Sequence, residues 1–235
     1  MGKRTSALVM GVVLVPFALS SCSSSSISTD AAEAKAASED PDHGVWTGED
    51  LKALLLPVGA LPKGYKPDRD YTADSGTHFG ATVKKPISNN CTLLETNTWV
   101  DAAGIGIASY AQADFQKPSK EEYSEDIDSF RGTDAWTAMT RLRKYVASCA
   151  TFKDSSGPAV ATFKVATKAV PDLGDESFET VLSAAVYEGG QTIVVSRVGH
   201  DIVFSENSVY SSDRGALALG LARRLVANVR VKTGN

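Results

Sequence analysis

The chain has 235 residues, a formal net charge of −4, and hydrophobic and charged fractions of 43% and 22%. This charge balance excludes a general nucleic-acid-binding surface, which needs an excess of basic side chains, so we predict no nucleic-acid partner. The length and the apolar fraction are those of a globular protein that can bury a core of its own.

The first twenty-two residues have the organisation of a bacterial lipoprotein signal. Lys3 and Arg4 precede an apolar stretch over 7–19, which is shorter than the roughly 20 residues that cross a bilayer. The tetrapeptide 19–22, Leu-Ser-Ser-Cys, resembles a lipobox, whose cysteine carries the acyl chains and becomes the mature N-terminus. We therefore predict a signal peptide at 1–21 and a lipid anchor on Cys22, at the extracytoplasmic face of the cell membrane. An ordinary secretory signal followed by an incidental cysteine is the alternative.

Residues 22–45 are predicted to be a lipidated N-terminus and a disordered tether. From Ser23 to Val45 the chain has no aromatic residues and carries five acids against one lysine, so it cannot bury enough apolar surface to order itself. A flexible coil of this length spans on the order of 25 Å. The globular part is then a single domain over 46–235, beginning at Trp46.

Cys91 and Cys149 are the two cysteines that remain beside Cys22. An even pair in a chain that is predicted to be exported favours a disulfide. Two unpaired buried cysteines are the alternative.

The first half of the domain gives a mixed pattern. Thr47 caps a short helix, and 61–76 has the proline, glycine and aspartate content of a loop. A short helix starts at Cys91, and the small and β-branched residues of 102–115, with Gly104 and Gly106, indicate a strand with one closely approached face.

The stretch 120–130, KEEYSEDIDSF, is strongly acidic. Acidic runs usually form a solvated surface, and this one has neither the central glycine nor the twelve-residue pattern of a calcium loop. We therefore predict an exposed helix here and no metal site.

The second half is more regular. A helix follows Thr133, with its apolar stripe formed by Trp136, Met139, Leu142, Val146 and Cys149. Four β-rich runs over 159–170, 177–188, 191–199 and 201–206 indicate an antiparallel meander, and Asp213 caps a final helix. These elements predict an α+β fold in which the helices pack on one face of an antiparallel sheet.

No catalytic or metal-binding motif is present in the sequence. His43, His78 and His200 are scattered, and neither a zinc motif nor a nucleophile elbow surrounds them. We therefore predict no enzymatic activity and no cofactor.

In the order and spacing of several short motifs, the chain resembles the PknH-like extracellular sensor domain of actinobacterial receptor kinases and their free-standing lipoprotein relatives. The motifs are Leu54-Leu55-Leu56 with Leu61-Pro62-x-Gly64-Tyr65, Cys91, Cys149-Ala150-Thr151-Phe152, Leu173-Gly174-Asp175-Glu176-Ser177 and Val195-Ser196-Arg197-Val198-Gly199. The resemblance implies a disulfide-stapled α+β domain with a cleft for an unidentified ligand. Asp175 and Arg197 match charged positions of these motifs, which makes them candidate cleft residues or, alternatively, a structural ion pair.

The sequence therefore predicts a membrane-anchored lipoprotein whose non-catalytic, sensor-like domain binds a small molecule or a cell-envelope partner. Two alternatives stay open. One is a cell-envelope hydrolase in which a serine, an acid and His78 or His200 converge. The other is a lipid carrier, which requires a large apolar cavity.

Overall fold

The structure, a computed structural model, describes residues 40–157, 160–185, 190–208 and 213–234. The predicted signal peptide, Cys22 and the tether as far as residue 39 lie outside the described residues. The last residues of the predicted tether, 40–45, form a turn that contacts the domain, because Asp42 pairs with Arg131 at 2.6 Å. Among the helices of the described residues, none has the length and apolar character to cross a membrane.

Among the residues that the structure describes, one antiparallel sheet of eight strands organises the domain. Its spatial order is β1-β2-β3-β8-β7-β6-β5-β4, so that β5 to β8 form the predicted meander and β3 pairs with β8. The strands are β1 (Lys66–Asp74), β2 (Ser109–Gln116), β3 (Glu122–Ser129), β4 (Thr151–Asp154), β5 (Ala161–Ala169), β6 (Glu176–Ala184), β7 (Gln191–Val198) and β8 (Asp201–Asn207).

In the described part of the chain, three α-helices pack against this sheet, and they lie on both of its faces rather than on one as predicted. They are α1 (Gly48–Lys52), α2 (Asp134–Ser148) and α3 (Ala216–Thr233), and short 3-10 helices occupy Val58–Ala60, Cys91–Glu95 and Trp99–Ala103. Ile193 and Val195 of β7 face the core under α2, whereas Val194 faces the core under α3. A strand that is apolar on both sides needs cover on both faces, which accounts for the difference.

Two stretches are strands where the sequence predicted otherwise. β1 lies in the predicted loop 61–76; it is mostly exposed and pairs only with β2, so it lacks an apolar alternation. β3 lies in the acidic run that was predicted to be an exposed helix. It is buried from Glu125 to Ser129, between β2 and β8.

The predicted disulfide is present and joins the 3-10 helix at Cys91 to the end of α2 at Cys149, with Cα atoms 5.5 Å apart. Most of the predicted stripe of α2 is buried, but Trp136 is 59% exposed, because the buried face runs through Ala135, Ala138 and Met139 instead.

Two segments, 80–88 and 102–108, run side by side and form a wall above β2 and β3; we call them the wall segments. The second begins with the last two residues of the Trp99–Ala103 helix. Backbone hydrogen bonds join the two segments, among them Gly106 N to Val83 O and Lys85 N to Gly104 O, both at 2.7 Å. The predicted strand over 102–115 therefore begins only at Ser109. The predicted close approach is real, since a Cβ on Gly106 would lie 2.7 Å from Ala81 O.

Helix α2 holds the wall segments in place. The Arg141 guanidinium donates to the carbonyls of Lys85 and Ala103, at 2.7 and 3.1 Å. Lys84 pairs with Asp134 at 2.9 Å. These contacts fix both wall segments to α2.

We expect Gly106→Ala to destabilise the domain by about 1–3 kcal/mol, since the new methyl group forces the wall segments apart. Urea denaturation checks this. Gly220→Ala in α3 is the matched control, because a Cβ there meets no atom within 4 Å and should stabilise the helix by about 0.5–1 kcal/mol. Equal stability of the Gly106 variant and the wild type would contradict the close packing.

Candidate functional site

The wall segments enclose a cleft on the α2 face of the sheet. Its first chamber has a volume of about 560 Å³. Val83, Ile105 and Ile107 give it apolar sides, and Asp126 and Asp128 of β3 lie among its lining residues. Asp101 and Lys85 also line it. The chamber is thus apolar at the sides and acidic along the sheet.

A second chamber, of about 450 Å³, shares Asn97 with the first and is lined mainly by polar groups. Five acidic residues contribute to it: Asp68, Glu95, Asp114, Glu122 and Glu206. We call the two chambers together the acidic cleft. Of the residues that line it, eight are acidic and Lys85 alone is basic.

Strand register explains why the acids gather on this face. Successive residues of a strand point to opposite faces, so Asp126 and Asp128 share one face of β3. Tyr123 and Ile127 pack in the core on the other face, under α3. In the adjoining strands, Asp114 lies opposite Ser124, and Glu206 also pairs with Ser124.

Burial raises the pKa of these carboxyl groups because it disfavours their charged form. The pKa of Asp126 rises to about 8, and the pKa of Asp128 lies well above its usual range. In the second chamber, burial raises the pKa of Glu206 to about 8, of Glu95 to about 7 and of Asp114 to about 6. The carboxyls also repel one another, and Asp114 and Asp101 raise the pKa of Asp126 further.

Several of these groups retain an oxygen atom with no partner. Asp126 is 8% exposed, and within the described part of the chain its Oδ1 atom accepts no hydrogen bond. The same holds for one buried oxygen each of Glu95, Asp114 and Glu206. Buried polar atoms without partners are uncommon in folded proteins, so each calls for an explanation.

Asp175 and Arg197, the residues suggested by the sequence motifs, lie together but not among the residues that line the acidic cleft. Arg197 binds Asp175 and Glu176, each at 2.9 Å, and Asp175 also accepts from the backbone of Gly199 at 2.8 Å. Both charges of the candidate pair therefore have partners, which favours the ion-pair alternative over ligand contact.

The histidines do not contribute to the acidic cleft. The imidazole Nδ1 of His200 lies 2.7 Å from the carbonyl of Gly132, and neither His200 nor His78 lies among the residues that line either chamber. No group of three histidine, cysteine or acidic side chains in the described ranges is placed to hold a metal ion. The groups that meet in the cleft are thus carboxyls and a few amides and hydroxyls.

Sequence reasoning missed the acidic cleft because it assigned the acidic run to a solvated helix. The apolar residues of the run did not correct this, since Tyr123 and Ile127 are four residues apart and Glu125 lies between them. A spacing of four places two residues on one face of a helix as well as on one face of a strand.

A comparison with solved structures identifies the fold. The crystal structure of the extracellular domain of PknH from Mycobacterium tuberculosis matches with a TM-score of 0.59 and 16% sequence identity, over 80% of this chain and 99% of that one. No family model and no curated protein sequence matches the chain. The predicted resemblance is confirmed at the level of fold: this chain has the fold of the PknH extracellular domain.

The raised pKa values predict that the domain loses stability as the pH rises from 5 to 8. Over this range the native carboxyls still hold protons that the unfolded chain has released, so the free energy of unfolding falls with pH. The acids whose pKa is lowered, Asp50 and Asp74 among them, contribute their full stabilisation above pH 5 and do not change the slope. Urea denaturation should show a loss of at least about 1 kcal/mol, and a smaller loss for the variant D126N/D128N. A stability that rises with pH would contradict this assignment.

Proposed function

We propose that this protein is a lipid-anchored, extracytoplasmic binding protein whose sensor-like domain takes a small ligand in the acidic cleft and performs no chemistry on it. The observation that supports the proposal is the presence of a cleft with the size and the fixed walls of a ligand site. The cleft has a volume suited to a small molecule, and Arg141 of α2 holds both of its wall segments.

The fold supports an extracytoplasmic location, because the PknH structure that it matches is an extracellular domain. The disulfide agrees with this location, since such bonds persist in oxidising compartments. The signal sequence and Cys22 supply the anchor in the proposal. In this proposal, the domain acts by binding a molecule and presenting the bound state to a partner in the envelope.

The two alternative functions have less support. A hydrolase needs a nucleophile and a base within hydrogen-bond reach, and no histidine is among the residues that line the acidic cleft. A lipid carrier needs an apolar cavity. Both chambers present acids, and placing acyl chains against buried carboxyls gives those groups no hydrogen-bond partner.

Native mass spectrometry of the full chain, purified from an actinobacterial host in mild detergent, tests ligand binding. We expect a co-purified small molecule that is lost in the variant Ala81→Trp, because this exposed alanine lines the first chamber and a bulky ring would fill it. Ala53→Trp, on an exposed residue after α1, is the control and should retain the molecule. An empty wild-type chain, or equal retention by both variants, would contradict a ligand in the cleft.

Membrane fractionation tests the anchor. We expect the wild-type chain in the membrane fraction, with acyl chains on the peptide that begins at Cys22. Cys22→Ala should remove the acyl mass and release the protein from the membrane, since only covalent lipid holds it there in the proposal. Cys91→Ala would remove the disulfide and serves as the control, because it should leave the anchor intact. A Cys22→Ala variant that stays in the membrane fraction would refute lipid anchoring.

A further inference from the structure

The acidic side chains that line the cleft far outnumber its basic side chains. Eight acidic residues line the cleft and Lys85 is the one basic residue among them, although ion pairs occur elsewhere in the domain. Lys168 and Glu179 pair at 2.9 Å, for example. Glu179, a nearly buried glutamate on another strand, thus has an ion-pair partner, whereas no cleft acid forms an ion pair with a residue that the structure describes.

The unpartnered oxygens indicate what the cleft lacks. The Oδ1 atom of Asp126 is buried and accepts no hydrogen bond within the described residues, and Asp126 lines the first chamber. Glu206 and Asp114 each leave one such oxygen in the second chamber. A carboxylate has only acceptors. The missing partner of the ionised group is therefore a hydrogen-bond donor, and a cationic donor favours that ionised form over the protonated one.

The arrangement of the acids favours an extended organic cation over a metal ion. Asp126 and Asp128 are alternate residues on one strand face, about 7 Å apart along β3. Asp114 and Glu206 lie beside Ser124, the next residue of that face. No three of the described acids converge as a metal site does. Carboxylates spread along a line match ammonium groups that are separated by short methylene chains.

The sides of the first chamber suit those methylene chains. Val83, Ile105 and Ile107 line it beside Asp126 and Asp128, so an alkyl segment can contact apolar side chains while its ammonium groups meet carboxylates. A linear polyamine has this alternation of charge and apolar spacer. A free inorganic anion would meet unfavourable charge throughout the cleft.

We propose that the ligand of the acidic cleft is a linear alkyl polyamine, with one ammonium group held by Asp126 and Asp128 in the first chamber and another by Asp114 and Glu206 in the second. This inference rests on the proposed binding function and specifies the chemistry of its ligand. A basic segment of another protein presents the same ammonium chemistry, and the test below separates the two sources.

Binding is coupled to proton release in this arrangement. In the empty cleft, Asp114 from β2 and Asp101 from the Trp99–Ala103 helix repel the charged form of Asp126 and favour its protonated form, and Glu125 on the opposite face of β3 adds to this repulsion. Lys85 from the wall favours the charged form of Asp101. An ammonium group favours the carboxylate form, so the bound polyamine displaces protons and its affinity increases from pH 6 to pH 8.

Isothermal titration calorimetry of the full chain with spermine tests the proposal. We expect one molecule bound per chain, with a heat that depends on the ionisation enthalpy of the buffer because protons are released. The variant D126N/D128N should bind about tenfold or more weakly, because charge-assisted hydrogen bonds are lost. Asp172→Asn removes a charge from an exposed residue with positive φ, which asparagine tolerates. This control should bind spermine as the wild type does.

Three outcomes would overturn the proposal. Equal loss of affinity in the Asp172→Asn control, or many weak sites per chain, would indicate general attraction to an acidic surface. Tighter binding of a tetralysine peptide than of spermine would assign the cleft to a basic protein segment. If spermine does not bind but native mass spectrometry finds another molecule that Ala81→Trp excludes, the polyamine is wrong and the proposed binding function stands.

Discussion

The pairing of β3 between β2 and β8 determines the character of this domain. It buries a strand that carries four acids between Glu122 and Asp128, with Ser124, Asp126 and Asp128 on one face and Glu125 on the other. Burying a carboxyl without a cationic partner costs free energy, and the group responds by holding its proton. Both faces of β3 thus carry buried acids. The hydrophobic cores under α2 and under α3 offset the free energy that this burial costs.

The acids on the two faces of β3 differ in their hydrogen-bond partners. On the α3 face, Glu125 accepts from the backbone of Leu56 at 2.7 Å and from the hydroxyl of Tyr123 at 3.1 Å, so that each of its two oxygens has a partner. On the α2 face, Asp126 has an oxygen with no described partner and lies beside an open chamber. Glu125 therefore joins β3 to the segment around Leu56, whereas Asp126 and Asp128 are available to a ligand.

Sequence patterns predicted those helices and strands in which buried apolar residues recur at regular intervals along one face. Helix α2, the meander and the capped helices follow from apolar spacing and cap residues. The disulfide follows from an even cysteine count in an exported chain. β1 has no such pattern, because an exposed edge strand packs neither face against the core and needs no regularly spaced apolar residues. β3 was misassigned because carboxylates are almost always solvated, and the candidate cleft residues Asp175 and Arg197 satisfy one another instead. A buried acidic strand is recognised only once the long-range pairing with β8 is known.

The character of the cleft depends on Asp126 and Asp128 of β3 having no cationic partner among the described residues. Carbon-detected NMR titration of the side-chain carboxyls of Asp126 and Asp128 measures this property directly. The account predicts a pKa of about 8 for Asp126 and a pKa for Asp128 well above its usual range, with both values falling when spermine is added. Values near 4 for both residues in the absence of any added cation would show that the cleft acids are already solvated or paired, and would contradict the account.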